Sequence, residues 1–139
     1  MLKSFRDLEV WQRAHRLVLN LYRVTGSFPK EERFGVVSQL RRAAFSIPAN
    51  IAEGFGRRST KELLQSLAIA NGSLEETRYF VLLSCDLGYV TKQQLNDLDE
   101  QLNAVAQMIS ALTRSLKSRI AAGPSARVTG HGSRVTGPN

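Results

Sequence analysis

The residue types that carry most enzyme chemistry are scarce in this sequence. Its 139 residues include two histidines, His15 and His131, and a single cysteine, Cys85. A catalytic triad or a Cys–His pair would have to be built around His15, because His131 lies in a C-terminal segment without helical periodicity. His15 falls on the predicted apolar face of the first helix, where a packed core histidine is the commoner case. We therefore expect no catalytic residues and no enzymatic activity.

Motifs for metals and cofactors are also missing from the sequence. One cysteine excludes an internal disulfide and every zinc site that needs several cysteines. Glu75 and Glu76 lack the Glu-x-x-His pattern of a di-iron bundle, so pairing with arginine is the preferred interpretation of these carboxylates. The segment GFGRR at 54–58 lacks the final glycine and the preceding strand of a dinucleotide fingerprint. We expect no metal, no cofactor and no small-molecule substrate.

Positive charge is the strongest chemical signal in the sequence. Lys and Arg number 19 against 12 Asp and Glu, which gives a formal net charge of +7. The forked guanidinium of arginine fits phosphate, so this balance favours a nucleic-acid partner. Four arginines fall on one side of the first predicted helix, roughly 150° from its apolar face, and three more basic residues follow the second helix. The candidate nucleic-acid-binding residues are Arg6, Arg13, Arg16, Arg23, Arg57, Arg58 and Lys61.

Residues 38–59, SQLRRAAFSIPANIAEGFGRRS, combine two periodic faces with a proline between them. The apolar face continues in phase through Pro48, which predicts that the proline bends a continuous helix and frees the Ala44 carbonyl. Asn50 is then expected to supply hydrogen bonds to the disturbed backbone. The polar face is equally well interpreted as solvated surface or as a subunit interface. The candidate interface residues are Arg41, Arg42, Ser46, Pro48, Asn50 and Glu53.

Helical spacing predicts the first two helices. The first runs from Asp7 to about Thr25, and its apolar face is formed by Leu8, Trp11, His15, Val18 and Tyr22. The second begins near Lys30, after Pro29, and closes at the glycines of FGRRS. Its apolar positions are Val37, Leu40, Ala44, Ile47, Ile51 and Gly54.

Capping boxes predict the starts of the third and fourth helices, at Ser59 with Glu62 and at Thr91 with Gln94. Inward-facing candidates are Leu64, Leu67, Leu74, Val81 and Cys85 in the third, and Leu95, Leu98, Leu102, Val105, Ile109, Leu112 and Leu116 in the fourth. The third helix is predicted to end at Gly88. Gly72 and Ser73 in its interior indicate either close approach by another helix or a locally weak helix.

Four such helices joined by short turns predict an all-α fold, an antiparallel up-down four-helix bundle. We assign the bundle to residues 1–118 and a disordered basic tail containing Gly, Ser and Pro to residues 119–139. No apolar run approaches the roughly 20 residues that span a bilayer. The expected location is the cytoplasm, without membrane contact.

Three stretches, FRDLEVWQRAHRLV, YRVTGSFPKEERFGVVSQLRRAAFSIPANIAEGFGRRSTKE and LAIANGSLEETR, resemble a four-helix-bundle family. This is the family first associated with intervening sequences in bacterial 23S ribosomal RNA genes, and its relatives include the accessory variability protein of diversity-generating retroelements. The most characteristic elements are Trp11-Gln12, Phe28-Pro29, Gln39-Leu40-Arg41-Arg42-Ala43, Ser46-Ile47-Pro48, Asn50-Ile51-Ala52-Glu53-Gly54 and Gly72-Ser73. The resemblance covers roughly residues 5–116. Position 71, often basic in the family, is Asn71 here.

The resemblance implies a homopentameric barrel of four-helix bundles. In the retroelement relatives the basic barrel surface binds a reverse transcriptase and its template RNA, so structured RNA and a reverse transcriptase become expected partners. The leading hypothesis is a non-enzymatic, oligomeric nucleic-acid-binding or adaptor protein. The alternative is an oligomeric protein-interaction scaffold without a nucleic-acid partner, in which the arginines serve subunit contacts.

Overall fold

The computed structural model describes residues 2–123, and all regular secondary structure in this part of the chain is helical. The long helices are α1 (Glu9–Thr25), α2 (Val36–Phe55), α3 (Thr60–Asp86) and α4 (Lys92–Ala122), with short 3-10 turns at Phe5–Asp7 and Lys30–Glu32. The prediction of four helices and an all-α fold is confirmed. Helix α4 continues to Ala122, and residues 124–139 of the predicted tail lie outside the described residues.

Local sequence signals explain most helix ends. Thr91 and Gln94 form the predicted capping box, and Ser59 accepts a hydrogen bond from the Glu62 amide. Gly88, in the left-handed region with φ of 82°, follows the end of α3 as predicted. The second helix begins later than predicted, because residues 30–32 form a 3-10 turn and Gly35, with φ of −105° and ψ of −115°, interrupts the helical path before Val36.

One hydrophobic core receives side chains from all four helices. Every predicted apolar position of α2 is buried, and so are five of the seven predicted positions of α4, the other two being half-buried. Helices α1 and α2, α2 and α3, α3 and α4, and α1 and α4 pack against each other, which closes the arrangement around this core.

The predicted apolar face of α1 is wrong for most of its members. Of the five predicted residues only Val18 is buried, whereas His15 and Tyr22 are exposed. The buried residues are Val10, Ala14, Leu17, Val18, Leu21 and Thr25. Both sets recur at helical spacing, and the larger aromatic side chains favoured the wrong one. Trp11 lies at the edge of the core and stacks on the His15 ring with centroids 4.9 Å apart.

Close approach of two helices occurs at Gly54 of α2, where a Cβ would lie 2.7 Å from the Ser66 Cβ on α3. At Gly72 an added Cβ would meet nothing within 4 Å in the described chain. The interpretation of Gly72 as a close-approach residue is therefore not supported within one chain. The sequence carries the right signal, a helical glycine, at both positions, but only packing distinguishes them.

Helix α2 continues through Pro48, which is buried inside it, as predicted. The expected role of Asn50 needs a correction in its atoms. Its side-chain amide donates to the Ser46 carbonyl at 2.8 Å and to the Ser46 hydroxyl at 3.0 Å, and no bond to the Ala44 carbonyl is among its contacts. Asn50 therefore reinforces the turn that contains Pro48 rather than capping the carbonyl that Pro48 frees.

A second, smaller cluster anchors the connection between α1 and α2. Phe28, Val36, Val37 and Val90 are buried together, with Tyr89 packed against them. The Tyr89 hydroxyl donates a hydrogen bond of 2.7 Å to a Glu32 carboxylate oxygen. This bond ties the 3-10 turn before α2 to the turn between α3 and α4, and therefore fixes the position of the residues that follow Glu32.

The Tyr89 hydroxyl is expected to ionise late. Its hydrogen bond to Glu32 raises the pKa of Tyr89 above the usual value of 10.0, with smaller contributions from burial and from the charges of Glu32 and Glu31. Because the folded-state pKa is raised, the bond stabilises the fold at lower pH and this contribution is lost as pH rises through the raised pKa. In a tyrosinate absorbance titration, Tyr89→Phe should remove a high-pH step.

Two carboxylate variants separate the causes of this shift. Glu32→Gln is expected to move the Tyr89 step to lower pH, since an amide oxygen does not oppose ionisation as a carboxylate does. Glu31→Gln removes the same charge one residue away and should move it less. Equal effects of the two variants would contradict a shift caused by the hydrogen bond.

Candidate nucleic-acid interface

Three of the predicted arginines line one groove between α1 and α4. Arg13, Arg16 and Arg23 extend from α1, and the groove, of about 500 Å³, is completed by Leu19, Asn20, Gln101 and Ala104. Steps of three and four residues along α1 place these side chains on the same side of the helix. All three arginines are exposed. The structure therefore brings together three of the predicted residues on one surface, which we call the α1 groove.

The charges of the α1 groove are only partly balanced. Arg13 lies 3.5 Å from Glu9, an exposed pair of the kind that contributes little in water. Arg23 donates at 2.6 Å to the side-chain oxygen of Asn20, a neutral acceptor that orients the guanidinium without cancelling its charge. Arg16 forms no ion pair with any residue of 2–123. The groove is thus positive and has donors free for an anion.

The remaining predicted nucleic-acid residues do not line this groove. Arg6 belongs to the 3-10 turn before α1, with its guanidinium 5.9 Å from the Phe5 ring centroid. Arg57, Arg58 and Lys61 are exposed at the turn between α2 and α3, where Arg57 contacts Glu53 at 2.7 Å. These residues form a separate basic surface.

The predicted interface residues of α2 find partners inside the chain. Arg42 contacts Glu76 of α3 at 3.3 Å, and the Ser73 hydroxyl donates to the Ser46 hydroxyl at 2.8 Å. Together with the Asn50–Ser46 bonds, these contacts join α2 to α3. The polar face therefore needs no second subunit to satisfy its hydrogen bonds, and its role as an interface stays a prediction.

Arg41 has a defined role within the chain. Its Nε donates to the Thr25 hydroxyl at 2.9 Å, and a terminal nitrogen donates to the Tyr22 carbonyl at 3.2 Å. The guanidinium also lies 4.3 Å from the centroid of the Tyr22 ring. A cation that binds the last carbonyls of a helix is favoured by the helix dipole. Arg41 thus fixes the end of α1 to α2.

Sequence reasoning missed a second basic pocket beside Arg41. Lys30, Arg33 and Arg41 line a cavity of about 440 Å³ between the end of α1 and the start of α2, with Thr25, Gly26, Phe28, Pro29 and Val37. Lys30 and Arg33 stand in the segment KEERF, where neighbouring glutamates made the local charge look balanced. The exposed aromatic residue that follows two basic residues was the available signal.

Catalytic or metal chemistry finds no support in residues 2–123. No group of three or more His, Cys, Asp and Glu side chains there is arranged to hold a metal ion. His15 is exposed and stacked on Trp11, and Cys85 is a half-buried free thiol. None of the helices in this part of the chain is long and apolar enough to cross a membrane.

The fold and the site together define a small four-helix protein with basic surface grooves. The sequence matches the family described as 23S rRNA-intervening sequence protein over residues 6–111, which is most of the chain. This protein therefore belongs to the 23S rRNA-intervening sequence protein family. A comparison with curated proteins found no match.

Proposed function

We propose that this chain is a non-enzymatic, oligomeric nucleic-acid-binding or adaptor protein of the cytoplasm that holds structured RNA on its basic surfaces. The α1 groove carries the proposal, because three arginines share it and only one of them has a carboxylate partner. Guanidinium groups bind phosphate through forked hydrogen bonds. The Arg57, Arg58 and Lys61 surface and Arg6 extend the same chemistry.

The proposed binding is to the backbone and has little sequence preference. Arginines on an exposed helix face reach phosphates, whereas sequence is read at base edges by side chains placed in a groove of the nucleic acid. Contacts of this kind release counterions, so affinity falls steeply as salt rises. Asn20 and Gln101 orient the groove through their mutual hydrogen bond, 3.4 Å long, and keep Arg23 extended along it.

Assembly into a homopentamer is part of the proposal, as the family resemblance implies. Several copies would repeat the α1 groove, and weak phosphate contacts would then add through avidity. Exposed apolar side chains on the outer sides of α2 and α3, among them Phe45, Ile69, Tyr79 and Leu82, are available for subunit contacts or for a protein partner. A reverse transcriptase is the proposed protein partner, by the same resemblance.

The first test replaces the arginines of the α1 groove. Arg13→Gln/Arg16→Gln/Arg23→Gln is expected to weaken binding of a labelled structured RNA by about tenfold or more and to flatten the salt dependence by two to three phosphate contacts' worth, roughly 0.7–0.9 per contact in the log–log slope. Fluorescence anisotropy at low and physiological salt measures both quantities. The mass of the oligomer is determined on the same samples.

A matched control removes the same number of charges elsewhere. Arg57→Gln/Arg58→Gln/Lys61→Gln changes the net charge equally but leaves the α1 groove intact, and it should weaken RNA binding less. Equal losses in both variants would point to net charge alone. Wild-type protein that binds no RNA even at low salt would overturn the nucleic-acid proposal and leave the scaffold.

A further inference from the structure

We propose that the second basic pocket, between the end of α1 and the start of α2, binds an unpaired nucleotide of a nucleic-acid strand. Lys30, Arg33 and Arg41 would hold the phosphate, and the ring of Phe34 would stack on the base. This inference rests on the proposed nucleic-acid binding but concerns a different surface from the α1 groove. It predicts a preference for single strands that backbone contacts in the α1 groove do not supply.

The pocket presents three cations and little that neutralises them. Lys30, Arg33 and Arg41 form no ion pair with any residue in the described range 2–123. The nearest carboxylate along the chain, Glu32, is occupied by the Tyr89 hydroxyl at 2.7 Å and by the Val36 amide at 3.3 Å. Glu31 is exposed and leaves the segment with a small positive excess. An anion would complete the pocket.

Arg41 makes the pocket a prepared site. Its guanidinium is half-buried and held by two hydrogen bonds and by the Tyr22 ring, so ordering it on binding costs little entropy. Those bonds occupy two of the five guanidinium donors. The remaining donors are available to a phosphate oxygen. A cavity of about 440 Å³ falls within the usual size range of small-ligand sites.

Phe34 adds an aromatic platform beside the phosphate site. Its side chain is 87% exposed, far above every other large apolar residue described as exposed in 2–123. The Phe34 ring centroid lies 5.8 Å from the guanidinium of Arg33, which lines the pocket. The Glu32–Tyr89 bond holds the preceding residue in place. Exposed aromatic rings interleaved with basic groups are how proteins bind single strands without sequence preference.

These observations favour a nucleotide over an apolar protein anchor. A protein partner that buried Phe34 would also have to desolvate Arg33 beside it, at a cost unless it supplied an acid. A nucleotide brings an apolar ring face and a phosphate joined in one unit. Base stacking on an aromatic residue and a phosphate contact then both become favourable at once.

The test compares Phe34 variants on two RNA forms of equal length, a ten-nucleotide single strand and the matching duplex, by fluorescence anisotropy. Phe34→Ala is expected to weaken single-strand binding about tenfold or more and to leave duplex binding unchanged. Phe34→Trp should keep or strengthen single-strand binding, because its ring also stacks. Phe34→Leu keeps an apolar side chain without a stacking face and should behave like Phe34→Ala.

A second pair of variants examines the phosphate site. Lys30→Gln/Arg33→Gln should weaken single-strand binding and flatten its salt dependence, whereas Arg41 is left intact because it also holds α1 to α2. Oligomer mass is measured for every variant. Unchanged single-strand affinity in Phe34→Ala would overturn the inference, and so would a change of oligomer mass that Phe34→Leu restores, since that marks a protein contact.

The outcomes separate this inference from the proposed function. Loss of RNA binding in the α1-groove variant, together with no effect of Phe34→Ala, would uphold the general function and reject the nucleotide site. Loss of single-strand binding only in the Phe34 and Lys30/Arg33 variants would uphold the nucleotide site and reject the α1 groove. Wild-type protein that binds neither RNA form at low salt would overturn both.

Discussion

Replacing Leu21 with alanine is expected to lower the free energy of unfolding by about 3 kcal/mol. Leu21 lies on α1 with 0% of its side chain exposed, inside the core shared by the four helices. Removal of its branched end leaves a cavity that neighbours held by three other helices cannot fill without strain. Urea unfolding followed by circular dichroism, at one fixed protein concentration, measures the loss.

Leu19 provides the matched control on the same helix. It is 53% exposed and lines the α1 groove, so Leu19→Ala removes the same atoms from a position with little packing. We expect a change within about 0.5 kcal/mol, since alanine also favours the helix. Equal losses at Leu19 and Leu21 would show that α1 turns a different face to the core from the one described.

This pair also tests the one helix whose inward face was predicted wrongly. Periodicity on α1 admits two neighbouring faces, one with Trp11, His15 and Tyr22 and one with Ala14, Leu17 and Leu21. Bulk favoured the first, but a helix near others in a small core buries compact aliphatic residues more readily than rings that end in polar atoms. Trp11 and His15 satisfy each other at the edge of the core.

Elsewhere the sequence was sufficient because local and tertiary preferences agree. The capping box at Thr91 and Gln94 and the unbroken spacing of α4 both specify the same helix, and the structure has it. On α2 the apolar face holds through Pro48 because the residues around the proline are small. Its exact start was not predictable, since Pro29 is a good first residue for an α-helix as well as for a 3-10 turn.

The candidate site divides in the same way. The α1 groove follows from spacing along one helix, so Arg13, Arg16 and Arg23 were found from the sequence. The pocket at Arg41 depends on contacts between Arg41 and the end of α1, which are separated by 16 and 19 residues along the chain. The exposure of Phe34 is likewise a tertiary property. A phenylalanine in a periodic sequence is otherwise expected to be buried.

Replacing Gly54 with alanine is expected to lower the free energy of unfolding by about 2 kcal/mol, although alanine is the better helix former. The new Cβ would lie 2.7 Å from the Ser66 Cβ and 3.0 Å from the Leu63 Cδ1. Leu63 can rotate its side chain, but the Ser66 Cβ is fixed to the backbone of α3. Helices α2 and α3 must therefore move apart, which also weakens the contacts of Ser46 with Ser73 and of Arg42 with Glu76.

Gly72→Ala is the control with the opposite sign. Gly72 is also inside a helix, but it is exposed and an added Cβ meets nothing within 4 Å, so alanine should raise the free energy of unfolding by about 0.5–1 kcal/mol. Adding Ser66→Gly to Gly54→Ala should recover part of the loss if the clash is its cause, because the two Cβ atoms then no longer meet. A Gly54→Ala protein as stable as Gly72→Ala would mean that α2 and α3 stand further apart than the structure places them.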